Sequence, residues 1–135
     1  MTRDEVIAKW NGMQPRERDA WVATDVMEWK QGVDYDLVDD MENGIARYEP
    51  FSTDVRTFNP SAYISDAWEV IEKISSLKEW MLYRIGHSDV DGELKYECTF
   101  LEVYRGVSTF ARSKNASEAI CLAALIATQG EGIEE

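Results

Sequence analysis

The sequence is poor in the residues that most enzymes use for chemistry. A single histidine, His87, stands in 135 residues, which excludes most histidine-based catalytic and metal-ligating constellations. The two cysteines, Cys98 and Cys121, lie in apolar contexts without metal-ligand spacing. They read as buried free thiols in a reducing compartment. Gly-x-Ser-x-Gly, the phosphate-loop motif and Gly-x-Gly-x-x-Gly are all absent, and no Ser, Cys or Lys stands in a nucleophile motif. The expectation is a binding or interaction protein with no cofactor, not an enzyme.

Long apolar runs are also missing. The longest candidate, Ala119 to Ala127, falls short of the ~20 residues of a membrane span. The N-terminal MTRDEVIAKW carries charge where a secretion signal would be apolar. These features predict a cytosolic chain with no membrane partner. Cations are scarce too: 14 Lys and Arg face 26 Asp and Glu, a net charge of −12. That balance argues against duplex nucleic acid, which needs clustered Lys and Arg. A small anionic ligand sees only its own pocket, where a few arginines can reverse the sign. The chain does have apolar content of 44% and five Trp, enough to bury a core in one domain spanning residues 1–135.

Periodicity predicts four helices. The first runs from Arg3 to Trp10, with Thr2 and Glu5 at capping-box spacing and Asn11-Gly12 as a stop. The second runs from Pro15 to Trp29. Trp21, Val22, Asp25 and Trp29 share one of its faces, and Arg16 to Asp19 form a solvated first turn. The third follows Asn59-Pro60, with Ser61 as cap and Ala67, Trp68, Ile71 and Ile74 at helical spacing. The last, Ser117 to Thr128, is apolar almost all round and is expected to be the most buried. Between the second and third, residues 30–58 are irregular, with one short strand at Ile45 to Glu49. The acidic run from Asp34 to Glu42 lacks the central Gly and closing Glu of a calcium loop, and reads as a solvated loop. Three strands follow the third helix: Trp80 to His87, an alternating Leu94 to Phe100, and an alternating Val107 to Arg112. Turns at Asp91-Gly92 and Arg105-Gly106 join them, with His87 at a hairpin tip. The predicted fold is α+β, with helices packed on a small antiparallel sheet.

The arginines are the candidate functional residues. Arg56 precedes Phe58, Arg84 lies within a strand, Arg105 follows Tyr104, and Arg112 lies beside Phe110. Guanidinium forks grip phosphates in two-point contacts, and aromatic or guanidinium planes stack on bases. This is the composition of a nucleotide-like ligand site, with Arg56, Arg84, Tyr104, Arg105, Phe110 and Arg112 as its candidates.

Three stretches taken together resemble a known family. They are WVATDVMEW at Trp21 to Trp29, PFSTD at Pro50 to Asp54 followed by DAWEVIEKI at Asp66 to Ile74, and ASEAICLAALIA at Ala116 to Ala127. The pattern is similar to the phage ABA sandwich domain proteins, which include the Thoeris anti-defence 1 proteins. The shared motifs are mostly core residues. In typical short members the Ser-Thr-Asp segment runs almost directly into the Ala-Trp-Glu-Val helix, whereas here VRTFNPSAYIS intervenes. That insertion carries Arg56, Asn59 and Tyr63 and adds Asn59 to the candidate site. The resemblance implies an oligomeric, non-enzymatic sponge in the cytoplasm of an infected bacterium. Such a sponge binds glycocyclic ADP-ribose signals made by TIR-domain proteins, in some members cyclic oligonucleotides as well, and holds them uncleaved. The other reading is an acidic phage accessory protein that inhibits a host protein by direct binding; a salt titration separates charge mimicry from an enclosed ligand.

Overall fold

The computed structural model describes residues 1–38, 44–48, 55–77 and 79–130. Helix α1 (Arg3–Asn11) opens on the expected capping box: the Glu5 amide donates to the Thr2 hydroxyl and the Thr2 amide to Glu5 Oε1, each at 3.2 Å. Helix α2 (Pro15–Asp25) ends a turn before Trp29, and the chain leaves it through Glu28 in a left-handed conformation (φ 62°). The first turn of α2 is not solvated as expected. Asp19 is fully buried, and Arg18 reaches across to helix α4 (Ala116–Gln129).

The middle of the chain holds three strands where one was expected. Strands β1 (Tyr35–Asp36), β2 (Ile45–Tyr48) and β3 (Val55–Phe58) form an antiparallel sheet in that order. Strand β3 escapes a pattern search because Val55, Arg56 and Thr57 are all exposed. The segments 39–43 and 49–54, which contain the second half of the acidic run from Asp39 to Glu42, Glu49 and the PFSTD stretch, lie outside the described residues.

Helix α3 (Ile64–Ser76) buries Ala67, Val70, Ile71 and Ile74 on one face. Trp68, expected on that face, is 47% exposed. The N-cap of α3 is Tyr63 rather than Ser61, because the helix begins at Ile64; Ser61 instead donates its amide to Asp19 Oδ1 at 3.0 Å and its hydroxyl to Asn59 Oδ1 at 3.3 Å.

The meander is as predicted: β4 (Trp80–Val90), β5 (Glu93–Glu102) and β6 (Val107–Ser113), antiparallel in that order. Its first turn is Asp91-Gly92, with φ of 51° and 83°, values that an Asp-Gly pair tolerates. His87 sits within β4 opposite Tyr96, not at the hairpin tip. Cys98, Phe100, Thr109 and Ala111 point from β5 and β6 toward α4 and are buried.

Helix α4 contacts the meander and also α1, α2 and α3. That placement explains its unbroken burial from Ser117 to Ala127. One apolar core joins both sheets through Ile45, Phe58, Phe100, Ile120 and Leu125. Each such side chain contributes about 1.5–3 kcal/mol on burial. Both cysteines are free and buried, and burial pushes the Cys98 thiol up to about 12 with help from the Glu97 charge. The architecture is α+β, and among the described residues no helix is long and apolar enough to cross a membrane.

Candidate functional site

Strand β6 is an edge of its sheet, paired on one side only with β5. Beside its C-terminal half opens a cleft of about 620 Å³, between β6, α1 and the start of α4. Five cations line it: Arg3, Arg18, Lys95, Arg112 and Lys114. Among the described residues one carboxylate, Glu118, lines it with them. A local excess of positive charge in a chain of net charge −12 marks this cleft as a place where anions are attracted, not repelled.

Two arginine–aromatic clusters frame the cleft. On one side the guanidinium carbons of Arg3 and Arg112 lie 4.3 Å and 5.2 Å from the Phe110 ring centroid. Arg3 also donates through Nη1 to the Phe110 carbonyl, using the edge of β6 that no strand covers among the described residues. Burial lowers the Arg3 pKa from its ordinary value; Asp4 opposes this, and the like charge of Arg112 adds to it. Arg112 meets Glu97 at 3.6 Å. On the other side Arg18 stacks 4.6 Å from the Trp10 ring and donates through Nε to the Trp10 carbonyl at 2.9 Å.

Glu118 organises the floor. Its Oε1 takes Arg18 Nη1 at 3.0 Å, and its Oε2 accepts from Ser113 Oγ at 2.9 Å and Asn115 Nδ2 at 3.1 Å. Asn115 returns the favour through Oδ1, which accepts the Glu118 amide at 2.8 Å as the N-cap of α4. The carboxylate is thus fully engaged in holding Arg18 and the strand-to-helix corner. The remaining cations, two guanidinium groups against one aromatic ring and two lysines, line the cleft.

Of the seven residues singled out from sequence, Phe110 and Arg112 line this cleft. Arg105 and Tyr104 sit at the opposite end of β6, about 20 Å away along the strand. There Arg105 forms a two-point pair with Glu102 and holds that carboxyl below its usual range, while Tyr104 is 75% exposed. Arg56 lies on β3 and pairs with Glu69 at 3.2 Å. Arg84 lies along β4 over Gly86. Asn59 is buried and shapes the entry to α3: its carbonyl accepts from the Ala62 and Tyr63 amides, and its amide donates to Asp66 Oδ2 at 2.9 Å.

Sequence reasoning missed Arg3, Trp10, Arg18 and Lys95. Arg3 and Trp10 reach the cleft because α1 docks beside β6, a contact spanning 107 positions between Arg3 and Phe110, while Arg18 comes from α2 and Lys95 from β5. Arg3 carries a faint signal, a cation in a helix first turn where acids are favoured.

Helices stacked on an antiparallel meander, with a cationic cleft at its open edge, define an α+β sandwich protein. The chain belongs to the phage ABA sandwich domain family, whose model matches residues 20–125. It is accordingly a phage accessory protein. Arg3, Trp10 and Arg18 precede the matched segment. A search of curated proteins finds no match to the chain.

Proposed function

We propose that the cleft at the end of β6 captures a small nucleotide-like anion and holds it uncleaved. The protein then acts as an anti-defence sponge in the cytoplasm of the infected bacterium. The carrying observation is the convergence of five cations and two aromatic rings on one cleft in an acidic chain. A ligand with linked phosphates brings two or more charges that must lose water on entry, and neutral groups alone would leave them poorly compensated. Arg3 and Arg112 offer forked donors for the phosphates, and their guanidinium planes beside Phe110 offer a surface for a base. The cleft volume lies within the range of small-molecule sites. Binding alone serves this role, so no cofactor and no catalytic dyad enter it.

The signals of choice are those of the Thoeris system: first glycocyclic ADP-ribose made by TIR proteins, then cyclic oligonucleotides. A sponge that outcompetes an effector at a Kd of about 1 nM needs roughly −12 kcal/mol. An open cleft reaches this more readily when a second protomer closes over it, so the active form in this reading is a homo-oligomer. The test is incubation with TIR-generated products, removal of free ligand by filtration, and heat release. Retention followed by recovery of intact signal supports sequestration. Retention followed by recovery of a cleaved product points to an enzyme, and absence of retention overturns the reading.

Exposed Met81 (45%) and Tyr83 (66%) on β4 favour a second reading, direct inhibition of a host protein through the meander. In that reading Tyr83→Ala is expected to abolish capture of the host protein and to leave nucleotide binding unchanged.

A further inference from the structure

A second groove lies against helix α2 and has the opposite charge. Its volume is about 330 Å³. Glu17, Trp21 and Asp25 follow one another at intervals of four along α2, so they form one stripe along the groove. Met13 and Tyr35 complete an apolar floor around Trp21.

Three observations describe what this groove accepts. The first is that it already holds an ammonium: Lys9 Nζ lies 4.2 Å from the Trp21 ring centroid, and the indole beneath it is only 6% exposed. Lys9 is itself exposed and belongs to a different helix, so it covers the ring without being built into the core. The second is that the indole is prepared for a cation. Trp21 Nε1 donates to Asp25 Oδ2 at 2.6 Å, which fixes the ring and adds electron density to its face. Tyr35 is pinned by its hydroxyl contact with Thr24. The third is spacing. Glu17 and Asp25 are eight residues apart, about 12 Å along the helix axis. Each spends one oxygen inside the protein, Glu17 on the Gln14 amide at 3.1 Å and Asp25 on Trp21, and keeps a second. Two carboxylates so far apart cannot converge on a metal ion.

We infer that the α2 groove binds a linear aliphatic polyamine, which displaces Lys9 from the Trp21 ring. Its terminal ammonium groups meet Glu17 and Asp25, its methylenes lie on the Met13–Trp21–Tyr35 floor, and an ammonium takes the indole face that Lys9 now covers. Such a ligand matches all three features, the two separated charges, the apolar strip between them and the aromatic face. This site is independent of the β6 cleft and of the function proposed for it.

The test is calorimetric titration of the full chain with spermidine at physiological ionic strength, with tryptophan emission as a second readout. Saturable one-site binding is expected. Lys9→Ala removes the internal competitor and is expected to tighten binding by about threefold or more. Glu17→Gln keeps the helix cap but loses a charge, and with Asp25→Asn is expected to weaken binding by about tenfold. Glu72→Gln on α3, away from the groove, is expected to change nothing. The proposal is overturned by unsaturable binding, by equal competition by magnesium at matched ionic strength, or by equal losses in the Glu17 and Glu72 variants. Binding of a lysine-rich peptide without binding of spermidine also overturns it, in favour of a protein partner. Should Asp25→Asn unfold, Glu17→Gln and Lys9→Ala alone decide the matter.

Discussion

Arg105 and Arg112 bracket the same strand, each beside an aromatic residue, and meet different fates. Arg105 folds back onto Glu102 three residues away, and Tyr104 beside it faces solvent. Arg112 lies against the Phe110 ring together with Arg3, in a cleft that Lys95 and Lys114 also line. Arg47 and Arg56 repeat the first pattern, both converging on Glu69, with Arg47 also stacked 4.6 Å from Trp29. The two groups have the same local sequence character. What separates them is that Arg105 is taken up by a close two-point carboxylate pair, whereas Arg112 meets Glu97 only at 3.6 Å and has a second guanidinium against the same ring. In an acidic chain the pairing is the ordinary outcome, so a cleft in which cations converge stands out.

The comparison can be broken at several points. The largest effect on stability is expected at Arg18, whose partner Glu118 is buried. Arg18→Ala leaves that carboxylate without its cation and is expected to cost about 2–4 kcal/mol in urea unfolding. A loss below about 1 kcal/mol would show that Ser113 and Asn115 alone satisfy Glu118.

Asp19 gives the next effect, through pH. Its Oδ1 accepts the Ser61 amide, its Oδ2 has no partner among the described residues, and burial raises its pKa to about 7, with the Asp66 charge adding to the shift and the Ser61 hydrogen bonds and Arg18 opposing it. A folded pKa above the unfolded value means that the folded state binds the extra proton. Asp19 therefore favours folding at low pH, and this contribution is lost as pH rises from about 4 to about 7. Asp19→Asn keeps the acceptor for Ser61 and is expected to flatten that slope. An unchanged slope would place it elsewhere among the carboxylates.

Smaller effects follow. Arg47→Ala removes a stacked, half-buried guanidinium and is expected to cost about 1–2 kcal/mol with ligand binding intact. Cys98→Ala is expected to cost about 1 kcal/mol. The native Cys98 thiol, pushed up to about 12 by burial, is expected to resist thiol reagents at neutral pH. Arg56→Ala, at an exposed pair, is expected to cost under 1 kcal/mol. Light scattering that gives a 15.5 kDa monomer at micromolar concentration would remove the closed, two-protomer form of the site.

Much of the fold is legible in the chain because local pattern and tertiary need agree there. The alternation of Tyr96, Cys98 and Phe100 marks β5, Asp91-Gly92 marks its turn, and the all-apolar run of α4 marks a helix covered on every side. Where burial is decided by a distant partner, pattern fails. Asp19 reads as a surface acid because nothing near it in sequence announces Ser61, and Trp68 keeps helical spacing yet faces solvent. Strand β3 exists because β2 pairs with it, since its own residues show no alternation. The cleft was half legible. Phe110 and Arg112 are neighbours on β6, while Arg3, Trp10 and Arg18 arrive from helices whose docking no local rule specifies.

The most direct test of the β6 cleft is calorimetric titration of TIR-generated glycocyclic ADP-ribose into matched arginine variants, each first checked for fold and assembly. Arg3→Ala and Arg112→Ala are expected to weaken binding about 30-fold or more, because each leaves a buried phosphate charge without its partner. Arg56→Ala and Arg105→Ala are expected to stay within about twofold of the parent. Parent-like binding by both cleft variants, or losses confined to Arg56 and Arg105, would contradict the account.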